Sequence, residues 1–567
     1  SDQSDVIPID WEAIRNAAMA ASMFSDLFAI RNGDQTQNTT ASSDEKNIIH
    51  GKEVLHMACK SASYQMVRGM AVITCHTGRI YSVTDVLEDK DANSAIEVES
   101  SNYTSYAQYF AEKYNLSLQY PLQPLLQVKH SHRIHNLLTK DPSKNKGKET
   151  KKNYSVQIPP ELCLLTGIST AVVHSLYLLP SVMHRFNALI SAAELRNKIA
   201  KEFPECYLIK TSFVMEALTT QRCLESFSSE GLELLGDSFL KYATSRYLYL
   251  VFDKKHEGQL TARRCRLICN ENLHNLAMKR QLTGYIRDEP FQPDYWYVPG
   301  RLCTQSIPCK CNLGNLSCWQ NEHHQEEEKS NRVFKIGKSC SKGHRWICSK
   351  SVSDAVEALI GAFVVSGGAG PAVGFMKWIG FEIDFDQSLY EMARNRCNIH
   401  QTDLNKVNIS GLEAQLGYEF GNKSLLVEAL THASHHDLNG GWCYQRLEFL
   451  GDAVLDFLIT RHLFFAHPGL SPGVLSDLRS AAVNNHCFSR AIIKHNLQRY
   501  LRHASSELLS QITNFVRATQ ASAKQGDHVF GWEGVEGPKV LGDLFESIAG
   551  AILVDSGFDL DQVWSVM

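Results

Sequence analysis

The octapeptide ELLGDSFL at 233–240 returns as EFLGDAVL at 448–455, and this repeat constrains the fold more than any other feature of the chain. Aligned without gaps from Glu233 and Glu448, the match runs through Asn270 and Asn485, 38 residues in each copy. Gly236/Gly451, Asp237/Asp452, Arg246/Arg461, Gly258/Gly473 and Arg264/Arg479 coincide within it. A second block recurs as KSVSDAVEALIGA (350–362) and KVLGDLFESIAGA (539–551). There Lys350/Lys539, Asp354/Asp543, Glu357/Glu546 and Gly361/Gly550 keep identical offsets. A third echo, EALTTQ (216–221) and EALTHA (428–433), precedes both. Three echoes in one order mean two copies of one domain.

The repeated residues are costly where they stand. In a helix Glu233 and Asp237 are i,i+4 neighbours, as are Glu448 and Asp452; like charges at that spacing destabilise by a few tenths of a kcal/mol. The interior glycine costs about 1 kcal/mol more relative to alanine. Asp354/Glu357 and Asp543/Glu546 are i,i+3 pairs embedded in apolar helical patterns. A first helical turn welcomes acids and would excuse Asp354 and Asp543, but not both pairs twice over. Four carboxylates drawn together from two helices repel unless cations lie between them. Oxygen-only ligands favour a hard ion such as Mg²⁺ or Mn²⁺, which shares its shell with water and substrate phosphate. Such a site supplies a hydroxide nucleophile and steadies the leaving oxygen of an in-line displacement at phosphorus. The pattern predicts a metal-dependent phosphodiesterase centre, present twice.

Length and composition set the frame. The 567 residues suffice for three to four domains, and 44% apolar with 21% charged residues is a globular profile. No apolar run is long enough for a membrane span, and the start SDQSDVIPIDWEA has no secretory-signal pattern, so no membrane is expected. Sixteen cysteines at this length suit a reducing compartment. A net charge of −4 does not announce a polyanion partner, so local charge decides.

One stretch is basic: KHSHRIHNLLTKDPSKNKGKETKK (129–152) holds eight Lys/Arg, three His and only two acids. It reads either as a solvated loop or as a phosphate-contacting segment that displaces counterions. Just upstream, YTSYAQYFAEKY (103–114) places five aromatics in twelve positions. Core packing is the commoner fate of such rings. Yet Tyr106, Tyr109, Phe110 and Tyr114 beside a basic run are what an unpaired nucleic-acid end requires.

These strings resemble a known family. ELLGDSFL and RLEFLGDAVL, followed by DAVEALIGA and DLFESIAGA, look like the two signatures of ribonuclease III. Two copies in tandem behind an aromatic and basic module resemble a Dicer. YSVTDVLEDK with YAQYFAEKYNLSLQYPLQPLLQVKHSHRIHNLL is similar to a PAZ domain, and IPPELC with LLPSVMHRFNALISAAELR to the connector that follows it. GKSCSKGHRWICSKSVSDAVEALIGA leans toward the plant Dicer-like branch. The resemblance implies an endoribonuclease that cuts both strands of double-stranded RNA into small duplexes with short 3′ overhangs for RNA silencing. It implies up to two Mg²⁺ or Mn²⁺ ions per site. Glu233, Asp237, Asp354 and Glu357 would be ligands of the first site, and Glu448, Asp452, Asp543 and Glu546 of the second. Lys350 and Lys539 fall at a family lysine expected to help with phosphate charge. Tyr106, Tyr109, Phe110, Tyr114, Lys129, His130 and Arg133 fall where the family holds the RNA 3′ end. One departure is Gln445, where the first copy has Glu230. That outer acid is not a core ligand in the family pattern, so the second site is expected to remain active. The resemblance also implies a double-stranded RNA-binding partner protein.

The expected architecture is multidomain. Residues 1–155 form a mixed α/β PAZ-like module with a polar loop at 31–47, and 156–205 a helical connector. Residues 206–390 and 405–567 form two all-α nuclease domains paired as an intramolecular pseudo-dimer. Asn270 to Lys350 spans 80 positions against 54 from Asn485 to Lys539, which places a Cys/His-rich insert near 300–348. Cys309, Cys311, Cys340, His344 and Cys348 are zinc-ligand types, but no paired C-x₂-C knuckle occurs, and free thiols are the alternative. No G-x-x-x-x-G-K-[ST] appears, so the family's ATP-dependent helicase is not expected in this chain, and neither is a terminal double-stranded RNA-binding domain. KNKGKETKK (144–152) reads as a nuclear signal or as an RNA-binding loop, the second leaving a cytoplasmic location open. A catalytically silent RNA-binding scaffold of the same fold is the alternative function. Eight intact carboxylates argue against it, because repulsive charges are not retained when no metal rewards them.

Overall fold

A computed structural model of the chain describes residues 54–96, 103–130, 136–138, 155–293, 347–385, 387–396, 404, 407–435, 443–524 and 537–567. It divides into two compact units, residues 1–184 with 291–302, and residues 185–290 with 303–567.

The first unit is built on an antiparallel sheet. Strands β1 (Val54–His56) and β2 (Ser61–Ser63) pair with each other. β3 (Met70–Thr74), β4 (Ile80–Leu87), β5 (Leu125–His130), β6 (Ser155–Ile158) and β7 (Cys163–Ser169) form a five-stranded sheet in the order β6-β5-β4-β3-β7. β-Branched residues dominate β3 and β4, as a pleated and half-buried surface favours. Helix α1 (Tyr106–Tyr114) lies between β4 and β5 in the chain. Ser105 caps it by accepting from the Gln108 N–H, and Asn115 ends it in the left-handed region. Phe110 from α1 joins Leu55, Val72, Val83, Leu126, Val128 and Ile158 in one core.

One expectation changes here. The segment from 156 is not helical at its start: β6 and β7 complete the sheet, and the long helix α2 begins later, at Thr170, and runs to Ala200. Strand pairing with β5 and β3 is a long-range event that helical spacing in HRFNALISAAELRNKIA cannot report. The polar loop at 31–47, and residues 131–135 and 139–152 of the basic stretch 129–152, lie outside the described residues.

The second unit is helical. In its first half α3 (Glu230–Val251), α4 (Glu257–Ile268), α5 (Asn270–Lys279) and α6 (Ser349–Gly367) carry the repeated blocks. Their counterparts are α7 (Gln445–Ala466), α8 (Pro472–Ala482), α9 (Asn485–Lys494) and α10 (Lys539–Asp555). The correspondence extends to isolated bridges, Thr219 with Arg287 and Thr431 with Arg502. Both halves share one apolar core that includes Leu235, Phe239, Leu359, Leu450, Phe457 and Leu544.

α3 and α7 pack on each other about a pseudo-two-fold axis. Tyr242 and Phe457, equivalent in the repeat, stack with ring centroids 5.5 Å apart and planes 7° from parallel. A residue that meets its own counterpart marks an isologous interface. The pairing is not symmetric in detail. Buried Arg446 donates to the carbonyls of Tyr249 (3.0 Å), Phe252 (2.9 Å) and Lys255, closing the C-terminal end of α3. Its counterpart Gly231 offers no side chain and lies against Phe464.

Candidate active sites

The glycine inside each acidic motif is explained by backbone contact. A Cβ at Gly236 on α3 would stand 1.7 Å from the Glu357 carbonyl oxygen on α6, and one at Gly361 would stand 2.0 Å from the Leu232 carbonyl oxygen. The second copy repeats this: a Cβ at Gly451 would stand 1.7 Å from Glu546 O, and one at Gly550 would stand 2.2 Å from Leu447 O. No side chain fits at either crossing. The close approach sets the acids on α3 beside those on α6, and the acids on α7 beside those on α10.

Carboxylate oxygens of Glu233, Asp354 and Glu357 lie within 4.8 Å of one another, as do those of Glu448, Asp543 and Glu546. Glu233 and Glu448, rather than Asp354 and Asp543, occupy first helical turns. The helix-terminus explanation considered for the two aspartates therefore fails, because α6 and α10 begin farther upstream.

Asp237 and Asp452 stand apart from these triads. Asp237 accepts from Arg479 Nη1 at 3.1 Å, and Asp452 accepts from Lys241 Nζ at 3.0 Å with Arg264 Nη1 at 3.5 Å. Each is held by cations from the other copy. They remain near enough to act on the triads electrostatically. Burial first, and then Asp237, push the Glu357 carboxyl up to about 8; burial and then Asp452 push Glu546 up to about 9. Burial and Asp354 raise Glu233 to about 7, and burial with Asp543 raises Glu448. Partly buried acids with raised proton affinity, facing one another, are a donor set short of positive charge. The residues fit a hard divalent cation.

The lysines lie at the rims. Lys350 Nζ is 2.9 Å from Asp354, and exposed Lys539 reaches Asp543 at 3.0 Å and Glu448 at 3.4 Å. The second site adds Tyr444, whose hydroxyl donates to Asp543 at 3.2 Å. A cleft of about 810 Å³ opens over the first triad. One wall carries Glu233, Asp237, Asn270, Lys350, Asp354 and Glu357; Ser471, Pro472, Ser476 and Arg479 from the second copy also line it. Sequence reasoning missed Lys241, Asp456, Tyr444 and the cross-copy use of Arg264 and Arg479. Of these, Arg264/Arg479 were visible as a repeat identity without a reason.

In the first unit the rings separate into two groups. Tyr106 and Phe110 are buried, with the Tyr106 hydroxyl on Gln157, so neither presents a free face. Tyr109 and Tyr114 are partly exposed and pack edge-on against Phe110 and His76 respectively. Lys113 lies over both, 4.8 Å and 5.5 Å from their centroids, and donates to the Tyr109 hydroxyl at 3.0 Å. His76 and Lys113 join this cluster without having been predicted. Lys129 and His130 are exposed at the end of β5, and Arg133 lies outside the described residues. So do Cys309, Cys311, Cys340 and His344; Cys348 is a free thiol. Among the described residues no helix is long and apolar enough to cross a membrane.

The Ribonuclease III domain family matches residues 230–368 and 445–557, and the PAZ domain family matches 45–188. Endoribonuclease Dicer homolog 3 of Arabidopsis thaliana is 42% identical over all of this chain and 36% of its own length. Endoribonuclease Dicer homolog 3b of Oryza sativa subsp. japonica is 40% identical over 99% of this chain and 34% of its own. The chain therefore spans about a third of the length of these curated relatives. The crystal structure of Dicer from Giardia intestinalis aligns over all of this chain and 84% of that one, at 17% identity and a TM-score of 0.39.

Proposed function

Because the chain belongs to the Dicer-like branch of the ribonuclease III family, with one PAZ domain and two ribonuclease III domains, we propose that it cuts both strands of double-stranded RNA, releasing small duplexes with short 3′ overhangs for RNA silencing. One observation carries this reading: two carboxylate triads, each converging within 4.8 Å, stand in one paired helical unit. Two equivalent centres suit a substrate with two strands.

Glu233, Asp354 and Glu357 would hold the cation of the first site, and Glu448, Asp543 and Glu546 that of the second, with Asp237 and Asp452 poised beside them. Mg²⁺ or Mn²⁺, up to two per site, is the proposed cofactor; when bound it activates water and stabilises charge on the leaving oxygen. Lys350 and Lys539 stand at the rims where a scissile phosphate would approach, and each offers an ammonium to it. Tyr109, Tyr114, His76 and Lys113 form the proposed seat for a 3′ end, where ring faces and a cation suit an unpaired nucleotide. In this reading residues 1–155, 156–205, 206–390 and 405–567 serve as end-binding module, connector and two nuclease domains, with β6 and β7 lending the connector's first residues to the sheet. A nuclear location rests on KNKGKETKK alone and is checked by imaging a tagged chain with and without it.

The test is a duplex RNA labelled at each 5′ end, incubated with the chain and Mg²⁺. Staggered cleavage that stops in excess EDTA, and in an Asp237→Asn, Asp452→Asn double variant, is expected. Binding without any cleavage in Mg²⁺ or Mn²⁺ would identify a silent scaffold instead.

A further inference from the structure

Across the 38 aligned positions that begin at Glu233 and Glu448, the two copies carry opposite charge at one position, Lys241 against Asp456. That position sits beside the pseudo-two-fold axis, next to the Tyr242–Phe457 stack. Lys241 Nζ lies 3.2 Å from Asp456 Oδ2 and 3.0 Å from Asp452 Oδ1. Position 241 thus meets its own counterpart, as an isologous interface requires.

We propose that Lys241 and Asp456 key the two nuclease domains to each other, so that first pairs with second and pairing of like with like is disfavoured. Six charged side chains meet at this crossing. The first domain contributes Asp237, Lys241 and Arg264, a net charge of +1; the second contributes Asp452, Asp456 and Arg479, a net charge of −1. First with second is neutral. Two second domains would gather a net −2 and set two buried Asp456 carboxylates against each other. Two first domains would gather +2 with Lys241 facing Lys241. An uncompensated charge in such a place is strongly unfavourable, whereas the observed network is paired throughout.

The network also explains how each arginine is set. Asp456 accepts from Arg479 Nε and Nη2, both at 2.7 Å, which leaves Nη1 to reach Asp237. With lysine at the equivalent place, Arg264 donates to Ser245 Oγ at 3.0 Å instead. The pairing rule is independent of catalysis and would hold in a chain that cut nothing.

Because of the pseudo-symmetry, exchanging the charges should rebuild the same network with the domains' roles reversed: Arg264 would gain an aspartate neighbour and position 456 a lysine. The experiment compares thermal melting of the full-length chain as wild type, Lys241→Asp, Asp456→Lys and the double exchange, at low and high salt. Each single variant should melt below wild type, and the double exchange should regain more than half of the summed loss. The Lys241→Asp loss should exceed that of Lys241→Met and shrink at high salt. If Asp456→Lys alone fails to fold, recovery of a folded chain on adding Lys241→Asp supports the keying. A double exchange that melts at or below the poorer single variant, or stays unfolded, overturns it.

Discussion

Gly236 lies so close to Glu357 that a Cβ at position 236 would stand 1.7 Å from the Glu357 carbonyl oxygen. A Cβ at position 451 in the second copy would stand the same distance from the Glu546 carbonyl oxygen. The glycine and the acid of each motif are thus one device: the missing side chain lets the helices touch, and the touching helices bring the acids together.

Gly236→Ala should therefore harm the first site more than an ordinary helix substitution. Alanine has the higher helix propensity and would stabilise an isolated α3 by about 1 kcal/mol. Here it must push α6 away, and overpacking of this kind costs about 1–3 kcal/mol or more. A lower melting temperature together with loss of cutting at the first site is expected, read by calorimetry and by strand-resolved cleavage. A melting temperature at or above wild type would show that the helices separate without cost.

The raised carboxyls predict an unusual pH dependence. Glu233, Glu357 and Glu546 move from an ordinary value of 4.5 up to about 7, 8 and 9. The metal-free folded chain thus binds more protons than the unfolded chain across that interval. Stability from these groups is greatest at the acid end and falls as pH rises through 7 to 9. Melting in EDTA should decline from pH 5.5 to 9, and saturating Mg²⁺ should flatten the decline by favouring the deprotonated acids. Glu357→Gln with Glu546→Gln should flatten it without metal. A metal-free melting temperature that climbs over this range would contradict the clustering of the acids.

The aromatic segment splits into residues with different jobs. Tyr109→Ala with Tyr114→Ala removes partly exposed rings, each worth about 1–3 kcal/mol if a base stacks on it. Product lengths on a denaturing gel should scatter while cleavage persists. Phe110→Ala removes a buried ring and should cost about 3–5 kcal/mol of stability in the first unit. Sharp, unchanged products from the double tyrosine variant would show that the 3′ end is held elsewhere.

The sequence carried these features unevenly. Glu233, Asp237, Asp354 and Glu357 stood out because an acid costs energy in an apolar helix and because each has a partner in the second copy. Their arrangement was harder to see: three converge, while Asp237 turns to Arg479, since the charge on the opposing helix decides the matter. Lys241 and Asp456 break the repeat with opposite charges, but the break acquires a meaning only once the two helices are seen to face each other. The rings of α1 were recognised as a cluster, but Tyr106 and Phe110 fall on the face that packs against the sheet. β6 was missed because its partner β5 is distant in sequence, and four residues carry little pattern of their own.

The paired arrangement finally predicts which strand each site owns. Asp237 stands beside the first triad and Asp452 beside the second, each tied to the opposite domain by a cation. Asp237→Asn keeps the shape of its site but removes a charge, weakening the hold on the divalent ion and releasing Arg479 Nη1. Asp456 still fixes Arg479 through its other nitrogens, so the second site should be spared. Asp237→Asn should leave a duplex nicked in one strand, and Asp452→Asn should leave the complementary nick. Calcium should support binding with little cutting in either, because its larger and looser shell positions water poorly for in-line attack. Duplexes labelled separately at each 5′ end read both outcomes. Loss of cutting on both strands in a folded single variant would mean that the carboxylates of the two domains serve one composite centre.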